Sequence, residues 1–452
     1  MTGSDQTMSG RTGSGRSRSG RTGQGWTNWT GNQRDTAPVF RPASTDEVVA
    51  AVKAARAQGR TVKPVGAGHS FTAAAVTGGT RLDLVALSGL ISVDHAARLV
   101  TVGAGTSLFD LNRMLAKLGL ALPNLGDIDV QTVAGAVATG THGTGAGYGC
   151  LSTFVAGLTL VDGTGQEIRC DAVHNADVFA AARVGLGALG VITEITLRCT
   201  DAFVLRAEER ISRIPDVFAA LDEHIAGNDH FEMYWFPYTD RLQTKTNNRV
   251  PVDDRPLGRF RGWLDDEFLS NTVFGLACRV GRRVPATVRT IARVEARALS
   301  DRTYTAPSYE VFCTPRRVRF TEMEYGLPRE ALPEAFAELR RIVDRLPFPV
   351  IFPVELRISA ADDIWLSHGY GRDNAYIAIH QYVGMPYLPY FQAFEKVARE
   401  LGGRPHWGKL HWRTAADLRP AYPRFDEFVA VRDRLDPDRV FANDYTRQVL
   451  GA

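Results

Sequence analysis

Two glycine-rich segments constrain what this chain can fold into more than any other feature. They read Pro64-Val-Gly-Ala-Gly-His-Ser70 and Val133-Ala-Gly-Ala-Val-Ala-Thr-Gly-Thr-His-Gly-Thr-Gly145, and they lie about seventy residues apart. Glycine lets the main chain adopt positive φ and approach an anion closely, and consecutive amide N–H groups form a concave anion-binding surface. Together the segments predict two turns that bind the diphosphate of a dinucleotide.

The first segment differs from the usual nicotinamide-binding fingerprint. That fingerprint requires Gly-x-Gly-x-x-Gly at the start of a helix directly after a strand, with an acidic residue near the end of the next strand. Here Gly66-x-Gly68 is followed by His69, Ser70 and Phe71. A Rossmann-type site is therefore not expected, and His69 is placed beside whatever the turn binds.

Length and charge indicate a folded protein with no basic groove. The chain has 452 residues, 44% of them apolar, as expected for two domains or one large elaborated domain. Residues 1–25 are almost entirely Ser, Gly, Thr, Arg and Gln, a composition that cannot bury a core. The chain has 53 basic and 50 acidic residues. Four of the basic residues and one of the acidic residues lie in this leader, so the rest of the chain carries equal numbers of both. No nucleic-acid partner is expected.

The sequence shows no targeting segment and no metal motif. The leader lacks the apolar stretch of a secretory signal, and no later run is long enough to span a membrane, so we predict a cytoplasmic protein without an integral membrane segment. Five widely spaced cysteines without a Cys-x-x-Cys pair are expected to be buried, reduced thiols. His406 and His411 are five apart, which is wrong for one helix face, and no further ligands are evident, so no metal is expected.

Local patterns predict an α+β fold. Ser44 caps a helix that ends at Gly59, and Ser107 begins a helix that ends at Gly119. Strands are predicted at 61–65, 81–85, 91–94, 98–102, 191–198, 231–238, 354–359 and 376–382, with a hairpin formed by 155–161 and 166–170. Helices are predicted at 175–184, 215–225, 330–345 and 389–401.

Composition divides the chain into four parts. After Thr200 glycine becomes rarer and aromatic residues gather. We predict a leader at 1–25, an α+β region at 26–200 that contains both turns, and an α+β region at 201–410. The segment 411–452 is too short to be a domain and is expected to pack back on the first region.

The order of four motifs resembles a known family. Gly-x-Gly-His-Ser at 66–70, Thr-His-Gly-Thr-Gly at 141–145, Gly-x-Leu-Gly-Val-Ile-Thr at 187–193 and His-Trp-Gly-Lys at 406–409 are similar to motifs of the sugar-lactone and polyol oxidoreductases of the vanillyl-alcohol-oxidase flavoprotein superfamily. The most similar group contains L-gulono-1,4-lactone dehydrogenases and D-arabinono-1,4-lactone oxidases, and the resemblance runs from Trp26 to the C-terminus. It implies that 26–200 forms two α+β subdomains that hold FAD and that 201–410 forms a cap domain over the substrate.

The resemblance also assigns a cofactor site. It implies that His69 is bonded covalently to the flavin 8α-methyl carbon, because it occupies the histidine of the family's Gly-His-Ser turn. An alkylated imidazole withdraws electron density from the flavin and so favours hydride uptake; the alternative is a histidine that satisfies a turn carbonyl. The diphosphate is assigned to Gly66, Ala67, Gly68, Ser70, Thr139, Thr141, His142, Gly143 and Thr144, and the adenine end to the backbone of Gly190, Val191 and Ile192. Gly126, Asp127, Thr132 and Gly135 complete the predicted cofactor residues.

Four side chains are predicted at the reacting end. Glu355 and Arg357 are two apart on a predicted strand and so project from the same face, where the family holds the sugar; an ion pair on a solvated strand is the alternative. The resemblance places Lys409 near the flavin N1 and C2 carbonyl, where a cation stabilises developing negative charge. His380, with Gln381, is a further candidate for the same pocket, and His380 is equally well explained as a core histidine.

These assignments imply oxidation of a sugar 1,4-lactone by hydride transfer from C2 to flavin N5, giving an ascorbate-type product. Dioxygen or another acceptor then removes the electrons, and Gly126, where strict dehydrogenases of the family tend to carry alanine, favours dioxygen. An oxidase of alditols such as xylitol or sorbitol is the alternative within the family. A non-catalytic flavin-binding protein is the alternative from another class.

Overall fold

The structure is a computed structural model that describes residues 25–252, 255–256, 258, 268–269, 271–298 and 300–452. Nearly all of the predicted leader lies outside these residues. The described chain contains both helices and sheets, and the predicted α+β class is confirmed. None of the described helices is long and apolar enough to cross a membrane. The predicted cytoplasmic location and the four-part division stay predictions.

A small parallel sheet carries the first glycine turn. Its strands are Val39–Phe40, Thr80–Asp83 and Val62–Val65, with Thr80–Asp83 in the middle. The helix Thr45–Ala57 packs beside it, and the side chain of Ser44 accepts a hydrogen bond from the Glu47 N–H, as the N-cap prediction requires. The glycine turn begins where the strand Val62–Val65 ends.

The second glycine turn lies beside a five-stranded antiparallel sheet. In spatial order its strands are Glu167–Asp171, Val155–Val161, Val191–Arg198, Leu99–Gly103 and Leu90–Asp94, which confirms the predicted hairpin. The helices of this region are Leu108–Lys117, Val133–Ala138 and Ala176–Ala182. Thr132 caps the second of them by accepting from the Gly135 N–H, and the turn follows where this helix ends at Ala138.

The rest of the chain is built on an eight-stranded sheet, called here the large sheet. In spatial order its strands are Arg302–Pro307, Val204–Arg213, Arg241–Val250, His230–Trp235, Val354–Ser359, Asn374–Tyr382, Phe320–Pro328 and Arg404–Pro405. The helices Leu332–Arg345 and Leu388–Glu400 cover one face, where Met233, Leu356 and Ile377 join their core. Because side chains alternate along a strand, the intervening polar residues all face the other way.

Several predicted elements differ from the structure. The predicted helix 215–225 is two short helices, Ile214–Ala219 and Leu221–Ala226, because Ala220 departs from helical geometry between them. The aromatic strand ends at Trp235, before Phe236 and Tyr238. The strands Val204–Arg213, Arg241–Val250 and Phe320–Pro328 are rich in polar residues and were not predicted, since their burial comes from pairing with distant strands. The helices Phe274–Arg283 and Val288–Ala298 were also missed.

The C-terminal segment packs against the N-terminal region. The helices Phe425–Leu435 and Asp444–Leu450 share a core with residues such as Val100 and Leu111. The buried ammonium of Lys63 donates to the carbonyls of Gly187 and Phe441 at 3.0 and 2.8 Å. Burial lowers the pKa of Lys63 to about 7, although Asp436 opposes this. Smaller elements are the helices Ser308–Phe312 and Ala415–Leu418 and the strand pairs Trp26–Thr27 with Arg34–Asp35 and Leu120–Ala121 with Thr200–Asp201.

Candidate functional site

Each glycine turn is hydrogen-bonded to a segment that carries predicted site residues. The Gly145 N–H donates to the Ile358 carbonyl at 2.8 Å, which attaches the second turn to the strand of Glu355 and Arg357. The Phe71 N–H donates to the Gly408 carbonyl at 2.7 Å, which attaches the first turn to the segment of Lys409. Segments far apart in the sequence are thus brought to one place.

His69 lies in the first turn and is held by an aromatic neighbour. Its ring stacks on Trp29 with centroids 5.3 Å apart, and the Trp29 N–H donates to the Gly68 carbonyl at 2.8 Å. Gly68 has φ of +71°, which favours glycine at this position. Burial, helped by the positive charge of Lys409, lowers the pKa of His69 to about 4. The ring is therefore neutral at neutral pH and has a nitrogen lone pair for bonding.

One glycine in each turn is too closely packed to be replaced by a residue with a side chain. A Cβ on Gly66 would lie 2.3 Å from Thr132 Oγ1, and a Cβ on Gly143 would lie 2.2 Å from the Leu125 carbonyl oxygen. Any side chain at either position would force these neighbouring atoms to move. The main chain therefore carries no side chain at these two positions, which is typical of turns that approach a diphosphate closely. The residues present thus fit FAD.

The side chains of the second turn contact the large sheet. His142 Nε2 lies 3.0 Å from Glu324, and the His142 ring stacks on Tyr376 at 3.6 Å. The Thr144 hydroxyl donates to the Phe231 carbonyl and accepts from the Ile358 N–H at 3.1 Å. The Thr139 hydroxyl donates to the Gly135 carbonyl at 3.2 Å. These side chains are therefore occupied by protein partners, and so are the Gly140, Thr141 and Gly145 N–H groups, which donate to the carbonyls of Val137, Ala136 and Ile358.

Glu355 and Arg357 form a buried pair on the polar side of the large sheet. Arg357 Nη2 lies 2.6 Å from Glu355 Oε1, and the Tyr234 hydroxyl donates to the same oxygen at 2.8 Å. The two side chains are only 8% and 7% exposed, so the alternative of a solvated surface ion pair is wrong. Burial raises the pKa of Glu355 even though the Arg357 cation opposes it.

The pair belongs to a larger charged network that sequence reasoning missed. Arg357 Nε also lies 3.1 Å from Glu232, and Glu232 in turn lies 3.2 Å from Lys245. Arg316 lies 3.2 Å from Asp127. The cations of Arg357 and Arg316 hold the pKa of Asp127 well below its usual range against the opposing effect of burial. Asp127, predicted to contact the cofactor, is thus bonded to arginine side chains.

A second charged cluster contains Lys409 and His380. The Lys409 ammonium contacts Glu322, and His380 Nε2 lies 3.4 Å from the other oxygen of that carboxylate. Burial opposes the charged forms, but Glu322 raises the pKa of both Lys409 and His380. Gln381 does not belong to this pocket, as the alternation along its strand places it on the opposite face. Its amide donates to the carbonyls of Pro349 and Pro386.

The remaining predicted residues lie further from the large sheet. Val191 and Ile192 are in the five-stranded sheet, where Val191 pairs with Val161. A Cβ on Gly190 would lie 2.6 Å from the Val161 carbonyl oxygen, so glycine is needed there for packing. Contact of these residues with the adenine end stays a prediction.

His406 has neighbours that the sequence did not reveal. His142, Glu324 and His406 each offer a potential ligand atom, and these atoms lie within 4.8 Å of one another. The expectation that no further ligands exist near His406 was therefore wrong. However, the Gly408 N–H donates to His406 Nδ1 at 3.0 Å, and burial lowers the pKa of His406 to about 3. A neutral ring that accepts at Nδ1 carries its proton on Nε2, which disfavours metal binding through Nε2.

The contact between Tyr234 and Glu355 predicts a pH effect. Tyr234→Phe removes a hydrogen bond to the carboxylate, so the already raised pKa of Glu355 will rise further. If the carboxylate form is needed, turnover declines as pH falls through this pKa, and the decline in the variant will begin at higher pH. The pH profile of kcat/KM for the wild type and the variant measures this shift of the acid limb. An acid limb that coincides with that of the wild type would contradict the assignment.

Comparison with known proteins identifies relatives that match most of the chain. A sequence profile described as D-arabinono-1,4-lactone oxidase matches residues 195–449, and one described as an FAD binding domain matches residues 36–171. The L-gulono-1,4-lactone dehydrogenase of Mycobacterium tuberculosis is 44% identical over 94% of this chain and 99% of its own length. The L-gulonolactone oxidase of Bos taurus is 34% identical over 91% of this chain and 94% of its own length.

Two further proteins bear on substrate and fold. The alditol oxidase of a Streptomyces species is 33% identical over 94% of this chain and 98% of its own length. The crystal structure of cholesterol oxidase from B. sterolicum superposes with a TM-score of 0.79, covering 94% of this chain and 96% of that one. At 20% identity this likeness supports the fold alone.

Proposed function

Because this chain belongs to the D-arabinono-1,4-lactone oxidase family of FAD-dependent oxidoreductases, we propose that it oxidises an L-gulono- or D-arabinono-type 1,4-lactone to an ascorbate-type product. FAD, when bound, supplies the hydride acceptor for oxidation of a CH–OH group. The observation that carries the proposal is the buried pair of Glu355 and Arg357 on the strand to which the second glycine turn is hydrogen-bonded at Ile358.

The glycine turns and His69 would hold the cofactor. No Cβ fits at Gly66 or Gly143 without a shift of neighbouring atoms, and Gly68 has a positive φ, so both turns need glycine, as turns that bind a diphosphate do. His69 is neutral, since its pKa is lowered to about 4, and a neutral imidazole keeps the nitrogen lone pair with which it could act as a nucleophile towards the flavin. This supports covalent attachment at the flavin 8α position.

Arg357 and Glu355 would bind the lactone hydroxyls. The guanidinium donates and the carboxylate accepts, so the pair recognises an oxygen that carries a hydrogen. Both groups are already paired and buried, and therefore a hydroxyl group can replace part of the ion pair without exposing an unpaired charge. Tyr234, bonded to Glu355, fixes the carboxylate orientation.

The second charged cluster would supply a fixed positive charge and accept the substrate proton. It consists of Lys409, Glu322 and His380. Lys409 is cationic, because Glu322 raises its pKa, and it supplies a fixed positive charge next to His69. His380 would accept the substrate hydroxyl proton at Nε2, and the adjacent Glu322 carboxylate stabilises the resulting imidazolium. Nδ1 of His380 faces the Pro353 carbonyl at 3.0 Å, which holds the ring in place.

Anaerobic mixing with candidate substrates tests the proposal. We expect L-gulono- or D-arabinono-1,4-lactone to bleach the flavin absorbance and xylitol or sorbitol to bleach it far more slowly. Alditol oxidation is the second candidate function, because the alditol oxidase relative is 33% identical. Faster bleaching by alditols than by lactones would establish it. A purified protein without flavin absorbance would refute both.

Gly126 bears on whether dioxygen can serve as the electron acceptor. A Cβ there would lie 3.3 Å from the His142 carbonyl oxygen, a tight but tolerable contact. We propose that the absence of a side chain at this position admits dioxygen. Gly126→Ala will then lower peroxide formation by about tenfold or more, while turnover with an artificial dye changes little. Gly147→Ala is the control, because a Cβ at Gly147 meets nothing within 4 Å. An equal fall in both assays would mean that the substitution damages the site itself.

A further inference from the structure

A pair of helices on the large-sheet side leaves an apolar stripe uncovered. On the helix Phe274–Arg283 and its flanks, Val273, Leu276 and Val280 are spaced three and four residues apart and are 43%, 58% and 42% exposed. Val284 and, on the neighbouring helix Val288–Ala298, Val294 are also exposed. We call these five residues the outer face. Single exposed aliphatic residues are ordinary, but a helical row of them is not.

The outer face is exposed because the opposite side of the same helix binds the protein. Gly275, Cys278 and Gly281 are buried there. A Cβ on Gly281 would lie 2.6 Å from Ile351, so the helix lies very close to the layer below. Phe274 packs edge-on against Phe352 with centroids 4.9 Å apart. One side of the helix is thus buried against the protein core. The outer face has no apolar partner among the described residues.

The segment that forms the two helices is rich in arginine. Between 271 and 298 the chain has six arginines, at positions 279, 282, 283, 289, 293 and 297, and Glu295 is the single acid. Burial raises the pKa of Glu295 to about 7, which weakens even that negative charge. Arg279 and Arg283 share the exposed side of the helix with Leu276 and Val280. The two helices therefore combine aliphatic side chains with strong positive charge.

We propose that these two helices bind the surface of a membrane containing anionic phospholipid. Aliphatic residues that alternate with arginine along one helix face suit insertion at the boundary between acyl chains and acidic headgroups. A protein partner would be expected to meet aromatic anchors, which the outer face lacks. A nucleic acid would leave the valine and leucine side chains unused. Charge and apolar pattern together thus select an anionic lipid surface.

Vesicle sedimentation with the full-length, FAD-loaded protein tests this. We expect binding to vesicles of mixed phosphatidylcholine and phosphatidylglycerol, weak binding to phosphatidylcholine alone, and loss of binding as salt rises. Leu276→Gln combined with Val280→Gln should lower vesicle affinity by about tenfold. Val85→Gln combined with Ile91→Gln is the matched control, since both residues are exposed and apolar but lie in the N-terminal region.

Further variants distinguish vesicle binding by the two helices from vesicle binding by the basic leader. Replacing Arg11, Arg16, Arg18 and Arg21 with glutamine should leave most vesicle binding intact. Binding that disappears with these replacements and survives in the Leu276→Gln, Val280→Gln protein would overturn the proposal. A concentration-dependent dimer that the outer-face variant abolishes, without vesicle binding, would also overturn it by assigning the face to a second copy. Unchanged flavin bleaching by lactone in each variant verifies that it is folded.

Discussion

Alanine at position 69 is expected to release the flavin from the denatured protein. In wild-type protein precipitated with acid, the yellow colour will stay in the pellet, and in His69→Ala it will move to the supernatant. The reason is that a neutral imidazole, stacked on Trp29 and with its pKa lowered to about 4, is the group proposed to bond to the flavin. Loss of this bond also removes an electron-withdrawing substituent, so lactone-driven bleaching should slow by about tenfold or more.

An exposed histidine provides the control for this experiment. His95→Ala changes a residue that lies on the surface of the N-terminal region, and it should retain colour in the pellet. Wild-type protein whose flavin dissolves on acid treatment would disprove covalent attachment. Such an outcome would leave the lactone proposal standing, since non-covalent FAD can serve the same chemistry.

Replacement of Glu355 is expected to have the largest effect on turnover. Glu355→Gln keeps the shape of the side chain but removes the charge that accepts from Arg357 and Tyr234. Arg357 keeps Glu232 as a partner, so the variant should fold. Loss of a charged hydrogen-bond acceptor at a buried site costs several kcal/mol, and kcat/KM should fall by about 10² to 10³. Stopped-flow bleaching by lactone measures the change.

Two further variants make this result interpretable. Glu338→Gln alters an exposed glutamate that pairs with Arg341 on a distant helix and should bleach at the wild-type rate. Combining Glu355→Gln with Lys409→Met should abolish bleaching while the protein still binds flavin. Unchanged bleaching in the combined variant would remove both residues from the reacting end.

The sequence by itself determined the local features of this protein. Glycine spacing predicted both turns, and hydroxyl caps predicted the helices that begin at Thr45 and Leu108. Alternation predicted that Glu355 and Arg357 share a strand face. Each of these depends on residues within a few positions of one another, where backbone preference is decided by the side chains present. The motifs also carried the resemblance to the family.

Only the tertiary structure decided which charges meet. Glu322 lies between Lys409 and His380, and Glu232 joins Arg357 to Lys245, through strands that pair in a register no local pattern shows. In the linear sequence Glu322 and Glu232 look like polar positions of ordinary strands. Burial in the large sheet then turns them into ion-pair partners, because a charge removed from water must find its counter-charge nearby.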